Sequence, residues 1–215
     1  MDDNTVVIQE FEPEHLDGVV RLHHECFSVD INLSMRLGPK FLRATYKFFL
    51  DDPKSFGFVA FCQDKMVGFV CGRLDLFAGA LNRYRAPVGA LALLGRPWIL
   101  FEVDFRKRLM QAVAKFTARK KAVQDADATP KRDGPTATLA SLGVHPDYVH
   151  LRLSDRLLAA AESFCKSEQM QFVRAGVWRS NISSRFLYRR RGYTEDPGKT
   201  KGEALFYYLS LEDNK

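Results

Sequence analysis

The chain has 215 residues, of which 46% are hydrophobic and 27% are charged, and this composition excludes a disordered or fibrous protein. The length fits one globular domain, or one domain with a long insertion. The net charge of +6 favours an anionic partner, such as a nucleotide phosphate, an acidic membrane surface or nucleic acid.

The first residues and the cysteines indicate the compartment. The first fifteen residues are acidic and lack the apolar core of a secretory signal, and no run of about 18 apolar residues predicts a membrane span. The four cysteines form neither a C-x-x-C pair nor a Cys/His cluster. We therefore expect reduced thiols in a cytoplasmic protein, with Cys62 and Cys71 packed as small hydrophobic side chains.

Strand and helix patterns alternate in the first 75 residues. The sequence TVVIQE predicts a strand over residues 5–10, and apolar residues on one face predict helices over residues 13–27 and 39–50. Two further strands are predicted over residues 57–63 and 66–75. The link between them, Asp64-Lys65, is short enough for a tight hairpin.

Residues 76–135 break this alternation and are interpreted as an insertion between the third and fourth strands. Glycines and prolines interrupt an apolar stretch from Gly79 to Pro97, a basic helix is predicted over residues 98–121, and a loop is predicted over residues 124–135. The basic helix either covers the sheet or lies on a membrane surface. The insertion is expected to shape a binding pocket or an interface, and an oligomer is compatible with it.

Regular structure is predicted again from residue 136. Strands are expected over residues 136–144, 172–178 and 202–211, and helices over residues 153–166 and 182–190, with a turn over residues 145–148. Gly192 is a typical residue to end a helix. This order of elements predicts an α+β domain in which helices are layered on a mixed sheet.

Two motifs in the last third of the chain resemble those of the GNAT N-acetyltransferase superfamily. The end of the predicted strand at residue 144 matches V-x-P-x-[YW] at Val144, Pro146 and Tyr148. A second segment matches N-x-x-[AS]-x-x-x-Y-x-x-x-G-[FY] at Asn181, Ser184, Tyr188, Gly192 and Tyr193. The resemblance covers residues 136–210 well and residues 5–75 loosely, and it does not explain residues 76–135.

This resemblance implies a fold, a donor and a reaction. The fold is a mixed, mostly antiparallel, twisted sheet flanked by helices, in a single acyltransferase domain over residues 1–215 with an insertion at about 76–135. The donor is acetyl-coenzyme A, and the acceptor is the primary amine of a small molecule such as an amino sugar or an amino acid. A thioester is already activated, so no metal is expected, and the protein must position and polarise the thioester.

The resemblance also implies where coenzyme A binds. The backbone of Leu142, Gly143 and Val144 would hold the pantetheine arm, and the N-terminus of the following helix would hold the pyrophosphate. The loop at this helix has no glycine, unlike its relatives, and consists of Val149, His150, Leu151, Arg152, Leu153 and Ser154. Either Arg152 and Ser154 hold phosphate through their side chains, or the site binds coenzyme A poorly.

Tyr188 is the implied proton donor to the departing thiolate, because a tyrosine at this motif position lies near the sulfur in the family. A purely structural tyrosine on a short helix is the alternative. Asn181 and Ser184 would contact the cofactor arm, and Asn181 would also cap the helix. The base that deprotonates the acceptor is left open among His23, His24, Glu25, Glu102, Asp104 and His145.

Two other classes of function compete with the enzyme. The altered loop favours a non-catalytic GNAT-like module that binds a ligand or partner. The basic runs at residues 106–121, 131–132 and 185–191 are compatible with a membrane surface or nucleic acid, although they are also typical of a solvated face. Nucleic acid is disfavoured, because the basic residues are not interleaved with aromatics in a known binding motif.

Overall fold

The computed structural model describes residues 5–27, 33–75, 80–95, 134–196 and 204–212 of the chain. The strands in these residues are β1 (Val6–Glu10), β2 (Ser55–Cys62), β3 (Lys65–Arg73), β4 (Thr136–Val144), β5 (Phe172–Trp178), β6 (Thr194–Glu195) and β7 (Ala204–Ser210). The helices are α1 (Leu16–Cys26), α2 (Leu33–Arg36), α3 (Pro39–Asp51), α4 (Ala80–Gly95), α5 (Leu153–Ser167) and α6 (Ile182–Arg190). Short 3₁₀ helices at Pro13–His15 and Pro146–Leu151 precede α1 and α5.

The seven described strands form one sheet in the order β1-β2-β3-β4-β5-β7-β6. All neighbouring strands are antiparallel except β4 and β5, which are parallel. Parallel strands need a crossover connection, and α5 supplies it between β4 and β5. The predicted mixed, mostly antiparallel sheet with flanking helices is therefore confirmed.

The hairpin of β2 and β3 turns one residue earlier than the sequence pattern predicted. Cys62 pairs with Lys65, so the two turn residues are Gln63 and Asp64. Gln63 has a φ of 54°. A tight hairpin of this length requires a left-handed residue, and an exposed polar side chain adopts that conformation at a modest cost. Lys65 therefore belongs to β3.

The two faces of the sheet carry different helices. On the face that we call the α5 face, buried residues of α5 such as Leu157 pack with Ala137 and Val173 of the strands. On the opposite face, which we call the α1/α3 face, residues of α1 and α3 pack with Phe69 and Cys71 of β3. Successive side chains of a strand alternate between the faces, so β3 contributes Val70 to the core of the α5 face and Phe69 and Cys71 to the core of the α1/α3 face. Cys62 and Cys71 are both buried, as expected.

Part of the predicted insertion is helical. The sequence analysis expected Pro87 to interrupt an apolar stretch, but Pro87 lies inside α4. The helix packs on α3, where a Cβ on Gly89 would lie 3.1 Å from the ring of Phe41, so the glycine permits the close approach. Tertiary packing outweighs the local cost of the proline. The predicted basic helix at 98–121 and most of the predicted loop at 124–135 lie outside the described residues.

The described α-helices range in length from 4 residues in α2 to 16 residues in α4. None of them is both long and apolar enough to cross a membrane.

Candidate functional site

A cleft opens in the middle of the sheet, where β4 and β5 separate. The two strands pair only from Thr136↔Phe172 to Leu139↔Ala175. Beyond this point, β4 stays paired with β3 as far as Val144, and β5 stays paired with β7 as far as Trp178. The register of β4 against β3 shifts at this same place, which is a β-bulge at residue 140. The bulge bends β4 away from β5.

The predicted pantetheine-binding residues lie along this cleft. Leu142, Gly143 and Val144 are in the part of β4 that is paired with β3 and not with β5. A strand edge without a β partner presents backbone N–H and C=O groups, which an extended polar chain can pair with. The structure therefore provides an edge that fits an amide-containing arm.

Gly143 fixes the position of this edge. A Cβ at residue 143 would lie 2.5 Å from the ring of Phe69, a side chain with no solvent exposure. The absence of a side chain therefore lets β4 lie closely against the buried aromatic ring. Just beyond the strand, the His145 N–H donates to the Val67 carbonyl at 2.9 Å and holds the end of β4 on β3.

The loop at the start of α5 makes a left-handed turn without glycine. Arg152 has a φ of 52° and a ψ of 35° and lies between the 3₁₀ helix and α5. The family resemblance implies a glycine at this position. An L-residue pays roughly 1 kcal/mol for this conformation, so the turn survives the substitution at a cost. The turn that a glycine would make is thus preserved.

The Arg152 side chain lies in solvent and does not cover the N-terminus of α5. Its side chain is 71% exposed, and its Nε lies 3.4 Å from Oδ2 of Asp155. The guanidinium is therefore in solvent beside the first turn of α5, where it can approach an anion. Of the other predicted loop residues, Val149 and His150 are exposed, Leu151 and Ser154 are half-buried, and Leu153 is buried in the core.

Two further arginines lie at this end of α5. Arg190 donates to Oδ2 of Asp155 at 2.5 Å, and Arg191 donates to the Asp155 carbonyl at 3.0 Å and to Glu162 at 3.1 Å. Burial would raise the pKa of Asp155, but the hydrogen bonds from Arg190 and Arg152 lower it. Three guanidinium groups and two carboxylates leave a net positive charge beside the helix N-terminus, which suits a phosphate group.

The sequence analysis placed Arg190 and Arg191 in a basic run but did not assign them to the site. The signal was present, since the two residues lie two and three positions after Tyr188. Their contact with α5 is long-range, however, and motif spacing does not reveal it.

Tyr188 lies in the core between α5 and α6. It is 6% exposed, and its ring lies 5.0 Å from that of Tyr193 and 6.2 Å from that of Tyr207. Burial, followed by the nearby carboxylate of Glu162, raises the pKa of Tyr188 above its ordinary value. The phenol is therefore neutral at physiological pH and available as a hydrogen-bond donor.

Asn181 caps α6. Its side-chain oxygen accepts a hydrogen bond from the Ser184 N–H at 3.0 Å. This arrangement is an N-cap, in which the side chain satisfies a backbone donor that the helix itself leaves unpaired. The structural role that the sequence analysis offered for Asn181 is thus present, and its side-chain NH₂ is not used by the cap.

A buried hydrogen-bonded chain reaches β4 from the α1/α3 face. Nδ1 of His23 lies 2.6 Å from the hydroxyl of Tyr46, which lies 3.2 Å from the hydroxyl of Ser141. Burial, helped by His24, lowers the pKa of His23 to about 4, so the imidazole is neutral at pH 7. Burial also raises the pKa of Tyr46. The chain therefore consists of neutral groups and ends on the strand that borders the cleft.

The other candidates for the acceptor base lie elsewhere. His145 lies after β4, with its Nε2 3.6 Å from a carboxylate oxygen of Glu25 and its Nδ1 accepting from the Asp147 N–H at 3.2 Å. His24 is exposed on α1. Glu102 and Asp104 lie outside the described residues. Of the four described candidates, His23 is the one connected to β4 by hydrogen bonds beside the bulge.

In the described ranges, no group of three or more His, Cys, Asp or Glu residues has the geometry to hold a metal ion.

Comparisons with known proteins agree with this architecture. Residues 107–193 match the sequence model of the acetyltransferase (GNAT) family. A coenzyme A complex of the PaiA N-acetyltransferase from Thermoplasma acidophilum is similar with a TM-score of 0.59 and 14% identity, over 96% of this chain and 99% of that chain. The Escherichia coli ribosomal-protein-S18-alanine N-acetyltransferase is similar with a TM-score of 0.56 and 14% identity, over 98% and 99%.

A third structure, an N-acetyltransferase from Staphylococcus aureus Mu50, has a TM-score of 0.58 and 12% identity, over 97% of this chain and 99% of that chain. At these identities the likenesses establish the fold alone. None of the curated protein sequences matches the chain.

Proposed function

Because this chain has the GNAT acetyltransferase fold and its residues 107–193 match the family's sequence model, we propose that it transfers an acetyl group from acetyl-coenzyme A to the primary amine of a small molecule. The observation that carries the proposal is the cleft between β4 and β5, which leads to the left-handed turn at Arg152 and the N-terminus of α5. The cleft suits an amide-containing arm that ends in a thioester, and the turn with the helix N-terminus suits a diphosphate.

The donor would lie along β4. The free edge at Leu142–Val144 would pair with the pantetheine amides, and the N–H groups of the first turn of α5 would face the pyrophosphate. Arg152 and Arg190 stand beside this turn and would add guanidinium donors to the phosphate oxygens. The side chains would thus supply what the missing glycines supply in relatives.

The reaction needs one bond made and one broken. The acceptor nitrogen attacks the thioester carbonyl carbon, the carbon–sulfur bond breaks, and the nitrogen loses a proton as the thiolate gains one. Tyr188 would donate its hydroxyl hydrogen to the sulfur as negative charge develops there, since its raised pKa keeps it protonated. Ser141, oriented by Tyr46 and His23, would accept a hydrogen bond from the acceptor amine. The proton that the amine releases would pass to solvent water, and solvent would return a proton to Tyr188.

Calorimetric titration with acetyl-coenzyme A tests the donor assignment. We expect saturable binding in the micromolar range, because a helix N-terminus and two arginines face the diphosphate. Desulfo-coenzyme A keeps the same phosphates and is expected to bind similarly, whereas pantetheine alone is expected to bind far more weakly. No saturable heat up to millimolar acetyl-coenzyme A would contradict the proposal and favour the non-catalytic module.

One substitution at Arg152 tests both its backbone role and its side-chain role. Arg152→Gly relieves the left-handed strain, so we expect the free energy of unfolding to rise by about 0.5 to 1 kcal/mol. The same variant loses a guanidinium, so the Kd for acetyl-coenzyme A is expected to rise about tenfold. Denaturant unfolding and calorimetry measure the two effects. Arg179→Gly, at an exposed residue with negative φ, is the control. An unchanged Kd would remove the Arg152 side chain from the phosphate site.

A further inference from the structure

Two buried polar side-chain atoms lack a hydrogen-bond partner in the described part of the chain. They are Oγ1 of Thr138 and Nε of Arg174. Buried polar groups are almost always hydrogen-bonded, and each exception calls for a specific explanation. Thr138 is 6% exposed, so bulk solvent does not satisfy its hydroxyl.

The two orphaned atoms belong to neighbouring residues of the sheet. Thr138 of β4 is in register with Arg174 of β5, one pair before the last pair that joins these strands. Their sequence neighbours Ala137, Leu139 and Val173 belong to the core of the α5 face. Because strand side chains alternate, Thr138 and Arg174 point to the α1/α3 face. The pair therefore lies beside the point where the cleft opens, on the face opposite α5.

Arg73, Thr138 and Arg174 form a row across three neighbouring strands, β3, β4 and β5. The two arginines of this row differ in whether a carboxylate balances their charge. Arg73, which is in register with Thr138 on β3, forms ion pairs with Asp52, at 2.8 Å, and with Asp75. Arg174 forms no ion pair with the described residues, and its guanidinium stacks over the ring of Phe206 at 5.1 Å. One arginine of the row is thus neutralised, and the other keeps its positive charge next to an unpaired hydroxyl.

A carboxylate satisfies both orphaned groups. One of its oxygens accepts from the Thr138 hydroxyl and the other from the Arg174 guanidinium, and its charge balances that arginine. The donor of the proposed function would approach the cleft from the α5 face, because its diphosphate site lies at the N-terminus of α5, and this would leave the α1/α3 face to the acceptor. We infer that Thr138 and Arg174 bind the carboxylate of the acceptor, so that the acceptor is an amine that also carries a carboxylate.

The spacing fits an amino acid. Thr138 lies one residue before the last paired residue of β4, and a strand rises about 3.3 Å per residue. An amine at the opening of the cleft would thus lie one or two residue lengths from the carboxylate subsite. Short amino acids span this distance. This inference rests on the proposed acetyl transfer and narrows its acceptor.

Paired acceptors test the inference. Glycine, L-alanine, β-alanine and L-phenylalanine would each be compared with the corresponding carboxamide, following release of the coenzyme A thiol. We expect kcat/KM for the preferred acid to exceed that for its amide by at least about tenfold, the usual weight of a charged hydrogen bond. The amide carries the same amine, so the difference reports the carboxylate.

Substitution of Arg174 tests whether this residue causes the preference for the acid over its amide. Arg174→Gln is expected to raise KM for the acid about tenfold and to leave KM for the amide unchanged, which removes the preference. Arg21→Gln removes an exposed arginine from α1 and is expected to preserve the preference. A preference that survives in Arg174→Gln would overturn the inference.

Thr138→Val gives a readout that does not depend on turnover. Valine has nearly the same shape and lacks the unpaired hydroxyl, so we expect the midpoint of thermal unfolding to rise by about 2 to 4 °C. The same variant is expected to raise KM for the acid. A fall in the unfolding midpoint would show that the hydroxyl is satisfied within the fold and would overturn the inference.

The outcomes separate this inference from the proposed function. A protein that does not bind acetyl-coenzyme A would refute the acetyl transfer itself. A protein that binds acetyl-coenzyme A and acetylates the amides as well as the acids would refute only the carboxylate subsite, as would one that binds the donor and acetylates none of the acids.

Discussion

Tyr188→Phe is expected to lower kcat by about 100-fold while leaving the Kd for acetyl-coenzyme A within twofold. The substitution removes one hydroxyl hydrogen that would face the sulfur as charge develops there, and the loss of a single such donor typically has this magnitude. The ring packing against Tyr193 and Tyr207 is retained, so the fold should be preserved. Single-turnover release of thiol measures the chemical step directly.

A matched change at a neighbouring tyrosine controls for packing. Tyr193→Phe also removes a buried hydroxyl, but that hydroxyl donates to Glu162 at 3.0 Å. We expect a loss of stability from Tyr193→Phe with kcat within about threefold of the native value. Equal turnover in Tyr188→Phe and the native protein would remove Tyr188 from the mechanism and leave it as a core residue.

Glu162→Ala is expected to lower the free energy of unfolding by about 2 kcal/mol, because it removes the nearer carboxylate partner of a poorly exposed arginine and leaves it only the ion pair with Asp155 at 3.7 Å. The side chains of Glu162 and Arg191 are 13% and 19% exposed, and both partners of the ion pair lie between α5 and α6. Tyr193 also loses the acceptor of its hydroxyl. Chemical denaturation monitored by far-UV circular dichroism measures the change.

Glu168→Ala is the matched control for this prediction. Glu168 lies at the C-terminal end of the same helix and is exposed, so its removal should leave the unfolding midpoint nearly unchanged. Comparable stability of the two variants would show that the interhelical ion pair contributes little. We also expect Glu162→Ala to weaken acetyl-coenzyme A binding, since Arg191 bonds the first turn of α5 through the Asp155 carbonyl.

The elements that local patterns encode were predictable from the sequence. Apolar periodicity located α5, and the motif from Asn181 to Tyr193 located α6 and its cap. The separation of β4 from β5 was not predictable in this way, because no local pattern encodes a gap between strands, and the family resemblance supplied only the residues expected along it. Pro87 misled the prediction for α4, since a proline is a local signal and the packing of this helix on α3 is tertiary.

The candidate site was predictable only in part, because contacts between residues that are far apart in the chain leave no local sequence pattern. Residues that a local motif marks could be proposed from the sequence, as with Tyr188, whose role stays a prediction. Residues that act through partners far along the chain were missed: Arg174 meets Thr138 across a parallel pair, and Arg190 meets Asp155 on another helix. His23 was one of six candidates until its buried contact with Tyr46 distinguished it.

The left-handed backbone conformation of Arg152 would affect how fast the proposed donor is exchanged. A glycine samples many backbone conformations in the unbound state, whereas an arginine held at a φ of 52° samples few. If the proposed donor binds here, the turn is ordered before it arrives, and binding would lose less conformational entropy than in a glycine-rich loop. Such a turn would be a poor hinge, so the release of the product would depend on motion elsewhere in the molecule.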